Sequence, residues 1–176
     1  MFFRSMKVWI AATVLVVLVL AGTAIGVHVT SSTSFCLSCH EMRVHQQELA
    51  LSPHAQDARG NAIECVQCHI PSTNIVRMLS AKTWLGTKDL WVHATTGGSV
   101  TLNRREIQPE ARRFMDDANC RACHEDLYRN AKNDGAISEY GRLAHDNYLD
   151  KNGSSRSGCA GCHRNIAHLP PEDRHY

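Results

Sequence analysis

The sequence predicts a mainly α-helical protein with much irregular loop, in which one N-terminal helix crosses a membrane and a compact domain follows it. Three observations predict this. A twenty-residue apolar run opens the chain, and four copies of the pattern Cys-x-x-Cys-His are spread along the remainder. One strong helical periodicity lies between the second copy and the third.

The apolar run reads VWIAATVLVVLVLAGTAIGV from Val8 to Val27, and no Asp, Glu, Lys or Arg occurs between Lys7 and Glu41. Twenty residues of helix span about 30 Å, the thickness of a bilayer's hydrocarbon core. Arg4 and Lys7 stand just before it. By the positive-inside rule they stay in the cytoplasm, which puts everything after Val27 on the periplasmic side. A cleaved signal peptide is the rival reading, with small residues near Ala21 to Ala24 as its cleavage site. The run is longer than a usual signal segment, so a retained single-pass anchor is expected over residues 1–29. Either reading exports the rest of the chain.

The eight cysteines fall in four pairs, Cys36/Cys39, Cys65/Cys68, Cys120/Cys123 and Cys159/Cys162. A histidine follows every pair: His40, His69, His124 and His163. With 11 histidines in 176 residues, four such followers arise by chance about once in 65,000. A disulfide framework does not need a histidine there. The pattern attaches haem c: both thiols add across the haem vinyl groups, and the adjacent histidine reaches the iron from one face. Zinc held by two such pairs, in a tetrahedral site of thiolates, explains neither the fourfold histidine nor the export segment. Four covalently bound haem c groups are therefore expected, held by all eight cysteines.

The 149 residues after Val27 give about 37 per motif, too little polypeptide for a conventional core around each porphyrin. Short helices and irregular loops around touching haems are expected, with the haem faces burying most of the apolar area. The spacing suggests two two-haem modules inside an exported domain of residues 30–176. His40 and Cys65 are separated by 24 residues with His54 between them, and His124 and Cys159 by 34 with His145 between them. The modules run over about 30–74 and 96–176, joined by an amphipathic helix at about 75–95. Asp150–Gly158 (DKNGSSRSG) reads as a loop, and the residues after the last motif as a short tail.

Four irons take up to eight axial ligands. Beyond the motif histidines, His54, His145 and His168 stand near motifs in loop-like sequence and are candidates for the distal side. His28 at the membrane boundary and His175 near the end of the sequence read as bystanders. In the first motif Met42 lies two residues past His40 and competes for the same iron, where a thioether raises the reduction potential.

In the joining helix Lys82, Gly86, Asp89 and His93 fall within about 60° of one another, and Trp84 and Trp91 lie opposite. Two readings fit. One is an amphipathic helix with buried tryptophans and a solvated Lys/Asp stripe, the simpler reading from spacing alone. The other is a polar site beside a haem, with tryptophans at the membrane interface. Formal charge is +2, with no basic tract, which excludes nucleic acid as a partner.

Three segments, FCLSCHEMR (Phe35–Arg43), NCRACH (Asn119–His124) and CHRNIAHLP (Cys162–Pro170), together with the anchor, resemble a known family. It is the NapC/NirT/NrfH family of membrane-anchored tetrahaem c-type cytochromes, the quinol dehydrogenases, and the resemblance covers essentially the whole chain. It implies a protein of the inner (cytoplasmic) membrane that oxidises quinol, menaquinol in the first instance. The electrons would pass to a periplasmic multihaem nitrite reductase or molybdenum nitrate reductase. It further implies that Met42 ligates the first iron in place of His40, and that Lys82 and Asp89 form the quinol site beside that haem. His168 would pair with His69 on the second iron, His54 with His124 on the third and His145 with His163 on the fourth. A non-enzymatic electron shuttle fed by another membrane complex is the alternative function.

Overall fold

The computed structural model describes residues 2–98, 104–130, 134–150 and 158–168. The expected loop at 151–157, the tail at 169–176 and His175 lie outside the described residues. Nine α-helices and one 3-10 turn are described, with no strand among the described residues beyond two isolated bridges, Gln56–Ala62 and Arg129–Ala136. The protein is mainly α-helical, as the sequence predicts.

Helix α1 covers Phe2–Val29, and within it Met6–Val29 is the one described helix long and apolar enough to cross a membrane. Its two mid-helix hydroxyls do not stay unpaired. Thr13 Oγ1 donates to the Trp9 carbonyl at 2.9 Å and Thr23 Oγ1 to the Val19 carbonyl at 2.8 Å, as an apolar medium requires. The last turn ends in Thr30 and Ser31, whose hydroxyls take the Gly26 and Val27 carbonyls.

Beyond the anchor, each Cys-x-x-Cys-His motif begins on a helix of a single turn. These are α2 (Thr33–Cys36), α4 (Cys65–His69), α7 (Asp117–Arg121) and α9 (Gly158–Cys162). Such short helices exist only if their ends are held. Ser32 caps α2 by accepting from Phe35 N, Asp116 caps α7 by accepting from Ala118 N, and Gln67 Oε1 accepts from Glu64 N ahead of α4. A 3-10 turn over His40–Met42 leads into α3 (Arg43–Ala50).

The four motif helices touch in sequence order, α2 on α4, α4 on α7 and α7 on α9. Polar side chains link each successive pair. Glu64 Oε2 accepts from Thr33 N at 2.7 Å, joining the first motif to the second. Asn119 accepts from Ser72 Oγ at 2.9 Å and donates to the Ile70 carbonyl at 2.8 Å, joining the second to the third. Asp117 accepts from Cys159 N at 2.8 Å and from the Tyr148 hydroxyl at 2.9 Å, joining the third to the fourth. Gly158 has φ +50°, and a Cβ there would sit 2.6 Å from Asp117 Oδ1, so glycine is what lets this last link close.

Asn119 is buried, and its removal strands the Ile70 carbonyl and the Ser72 hydroxyl. Asn119→Ala is expected to cost about 1–3 kcal/mol, read as a lower urea midpoint followed by the haem absorbance.

Helix α5 covers Ile75–Thr96. Asn74 caps it by accepting from Val76 N and Arg77 N, and Gly97, at φ +61°, ends it in the left-handed conformation. Helix α6 (Arg104–Phe114) follows, and α8 (Glu139–Asp150) precedes the last motif. The stretch around His145 reads as loop-like in the sequence but lies on α8. Arg142 explains it, pairing with Glu139 at 2.7 Å and Asp146 at 2.8 Å, three residues back and four ahead on one face.

Candidate functional site

The histidine rings meet in pairs. His69 and His168 have ring centres 5.9 Å apart, His54 and His124 6.0 Å, and His145 and His163 6.0 Å. Two imidazoles on opposite sides of one iron set their centres about 6 Å apart: two metal–nitrogen bonds of about 2 Å, plus about 1 Å from each nitrogen to its ring centre. The spacing fits a metal between each pair.

Electrostatics point the same way. Burial drives the His69 imidazole down to about 4, helped by His168 and His45. Burial also lowers His54, with His124 beside it adding to the effect. A neutral ring keeps the lone pair that a metal needs. Two distal rings have fixed tautomers. His168 Nδ1 lies 3.1 Å from the His45 carbonyl, and His145 Nδ1 bonds the Leu127 carbonyl. A carbonyl only accepts, so Nδ1 carries the proton in both and Nε2 is the unprotonated nitrogen.

His45 also lies against His168, with ring centres 5.4 Å apart, too close for a metal between them. His40 and His93 have ring centres 6.1 Å apart and differ from the three pairs above. His40 Nε2, the atom that would reach an iron, is 2.8 Å from the Gly98 carbonyl. Gly98 sits against both rings: a Cβ there would be 2.6 Å from His40 Cε1 and 3.3 Å from His93 Cε1. Backbone therefore lies against both rings of this pair. Glu41 completes the arrangement, accepting from His93 Nδ1 at 2.8 Å. Sequence reasoning missed this latch because it joins residues more than 50 positions apart with no periodicity to announce it.

Helix α5 meets the end of the anchor through Lys82, whose Nζ donates to Ser31 Oγ at 2.7 Å and to the Val27 carbonyl at 3.2 Å. A cation on the last carbonyls of a helix is favourably placed. Burial lowers the Lys82 pKa, against the opposing pull of Cys36. Asp89, two turns further on, is pushed upward by burial, with Lys88 resisting. Trp84 and Trp91 are 60% and 70% exposed. Of the two readings of this helix, the one with buried tryptophans does not hold among the described residues.

The cysteines and histidines present fit haem c. Among the described residues Leu49 is the one buried hydrophobic side chain, so a domain of this size lacks a core of its own. Large apolar groups attached at the cysteines would provide one.

Comparison with known proteins agrees with the site. The sequence profile of the NapC/NirT cytochrome c family, N-terminal region, matches residues 2–173. The chain belongs to this family. It is similar to the tetraheme c-type cytochrome CymA of Shewanella oneidensis, 29% identical over 153 residues that cover 82% of this chain and 80% of CymA. It is also similar to the cytochrome c-type protein TorY of Escherichia coli O157:H7, 31% identical over 154 residues. That match covers 82% of this chain but 39% of TorY, so a protein of this kind also occurs as part of a longer one. Among solved structures it matches a chain of the cytochrome c nitrite reductase NrfHA complex bound to the HQNO inhibitor. The TM-score is 0.53 at 26% identity, covering 95% of this chain and 96% of that one. As a c-type cytochrome the chain carries covalently bound haem c, and its N-terminal helix is a single membrane anchor.

Proposed function

We propose that the protein oxidises quinol, menaquinol foremost, at the membrane surface and delivers the electrons to a periplasmic reductase of nitrogen respiration. The observation that carries this is Lys82, whose ammonium rests on the carbonyl end of the anchor while its helix carries Asp89 one turn before His93, which meets Glu41 of the first motif. A polar face is thereby held where a membrane-borne headgroup arrives. With Arg4 before the span and Lys7 at its start, the N-terminus stays cytoplasmic and the motifs are periplasmic. The complex of a structural relative, NrfHA, supports a multihaem nitrite reductase as partner; the family resemblance makes a molybdenum nitrate reductase the second candidate.

Four haem c groups, when bound, supply one-electron acceptors in a row. The chain's own residues do the rest. Cys36, Cys39, Cys65, Cys68, Cys120, Cys123, Cys159 and Cys162 attach them. We assign His69 and His168 to the second iron, His124 and His54 to the third, and His163 and His145 to the fourth, on the ring spacings above. Met42 is assigned to the first, because Gly98 already holds Nε2 of His40. Quinol gives up two protons with its two electrons, so the site needs an acceptor for them. Asp89, raised by burial, is that base. Lys82 spends two of its three N–H donors on Ser31 and Val27 and keeps one for a quinol oxygen.

The full-length protein in liposomes should carry four haems by pyridine haemochrome and be reduced by menadiol without any other membrane complex. Reduction by dithionite but not by menadiol would mark it as a shuttle instead.

A further inference from the structure

His93 lies one turn beyond Asp89 on the same face of α5. Lys82 stands seven residues on the other side of Asp89, with its ammonium drawn toward the anchor.

The His93 ring is held for such a task. Its Nδ1 is 2.8 Å from Glu41 Oε1. A carboxylate accepts, so Nδ1 carries the proton and Nε2 presents a lone pair. No described residue hydrogen-bonds that Nε2, and the side chain is 39% exposed, accessible to a ligand. The Glu41 side chain is itself 10% exposed and is fixed by the first motif, so the ring is not free to swing. Gly98 lies against both His93 and His40, which removes the space for an iron shared by those two rings.

We propose that His93 is a substrate-binding residue of the quinol site, accepting a hydrogen bond from one quinol hydroxyl through Nε2 while Asp89 meets the other. Glu41 is the positioning residue that sets the tautomer and orientation of His93. This rests on the quinol site proposed above and adds the residue that fixes the headgroup's direction.

The test is haem reduction by menadiol in the full-length holoprotein, followed optically as a function of menadiol concentration. His93→Ala should raise the half-saturating concentration about tenfold and largely keep the limiting rate. His93→Gln retains an acceptor oxygen and should recover most of the loss. Glu41→Leu should weaken menadiol as well, and the double variant should be no worse than His93→Ala alone, since both changes remove one interaction. A merely structural glutamate would instead add its own defect. All variants are compared at four haems each, with dithionite reduction as control.

Wild-type half-saturation in His93→Ala, with Asp89→Leu impaired, overturns the role of His93 and leaves the quinol site standing. Normal kinetics in both variants overturns the site itself. A new high-spin signal in His93→Ala would assign the ring to an iron and also overturn the proposal.

Discussion

Replacing His54, His145 or His168 with alanine is expected to convert one low-spin iron to high spin in each variant, one iron per histidine. The argument rests on the spacing of the rings: centres 5.9 to 6.0 Å apart leave room for one metal with a nitrogen on each side. Loss of a strong-field imidazole leaves the iron five-coordinate or with a weak ligand, which favours the high-spin state. Covalent attachment should survive, because the cysteines and motif histidines are untouched. Electron paramagnetic resonance reads the count directly. An unchanged low-spin count in any one variant removes that histidine from the ligand set. The His145 variant should be cleanest, since its ring is oriented by the Leu127 carbonyl on the same side of the domain.

Lys82→Leu and Asp89→Leu are expected to abolish most menadiol oxidation, by about a hundredfold or more for Asp89 if it serves as general base. Both variants should keep four haems and accept electrons from dithionite. The pH dependence carries a sign. Asp89 has its pKa raised by burial, and only the ionised form takes a proton. The rate should therefore fall as pH drops through that raised value, higher than the ordinary value of an aspartate, and be nearly flat over that limb in Asp89→Leu. Lys82→Leu should lower affinity for menadiol more than it lowers the limiting rate, because its role is to hold an oxygen. Wild-type turnover in either variant would make that residue ordinary surface.

The sequence carries the anchor, the motifs and the joining helix plainly, because each has a local signal. The expected helix over about 75–95 is observed over Ile75–Thr96, bounded by an asparagine cap and a left-handed glycine that the same stretch contains. The pairing of distal histidines is different. Spacing alone offers several histidines per iron, and only the family resemblance picked the pairs whose rings the structure brings together. His145 reads as loop because its helix is held by Arg142 and its two carboxylates rather than by an apolar stripe. The latch of His40, Glu41, His93 and Gly98, and the links through Glu64, Asn119 and Asp117, are not announced by any pattern of period or propensity. They are polar contacts between distant segments, and neither period nor propensity encodes such pairs. In retrospect one hint exists: an acid or amide stands within three residues ahead of the second and third motifs.

The pairing of His168 with His69 joins residues 99 positions apart. Motif helices otherwise touch in sequence order, so most of the domain can assemble from the membrane outward as the chain emerges. On the assignment proposed here the second iron is the exception. Its distal ligand is exported after the third and fourth motifs have passed. A chain cut short before His168 would thus be impaired at the second haem, not at the fourth. Full coordination of an early member becomes a report that the later motifs have crossed the membrane.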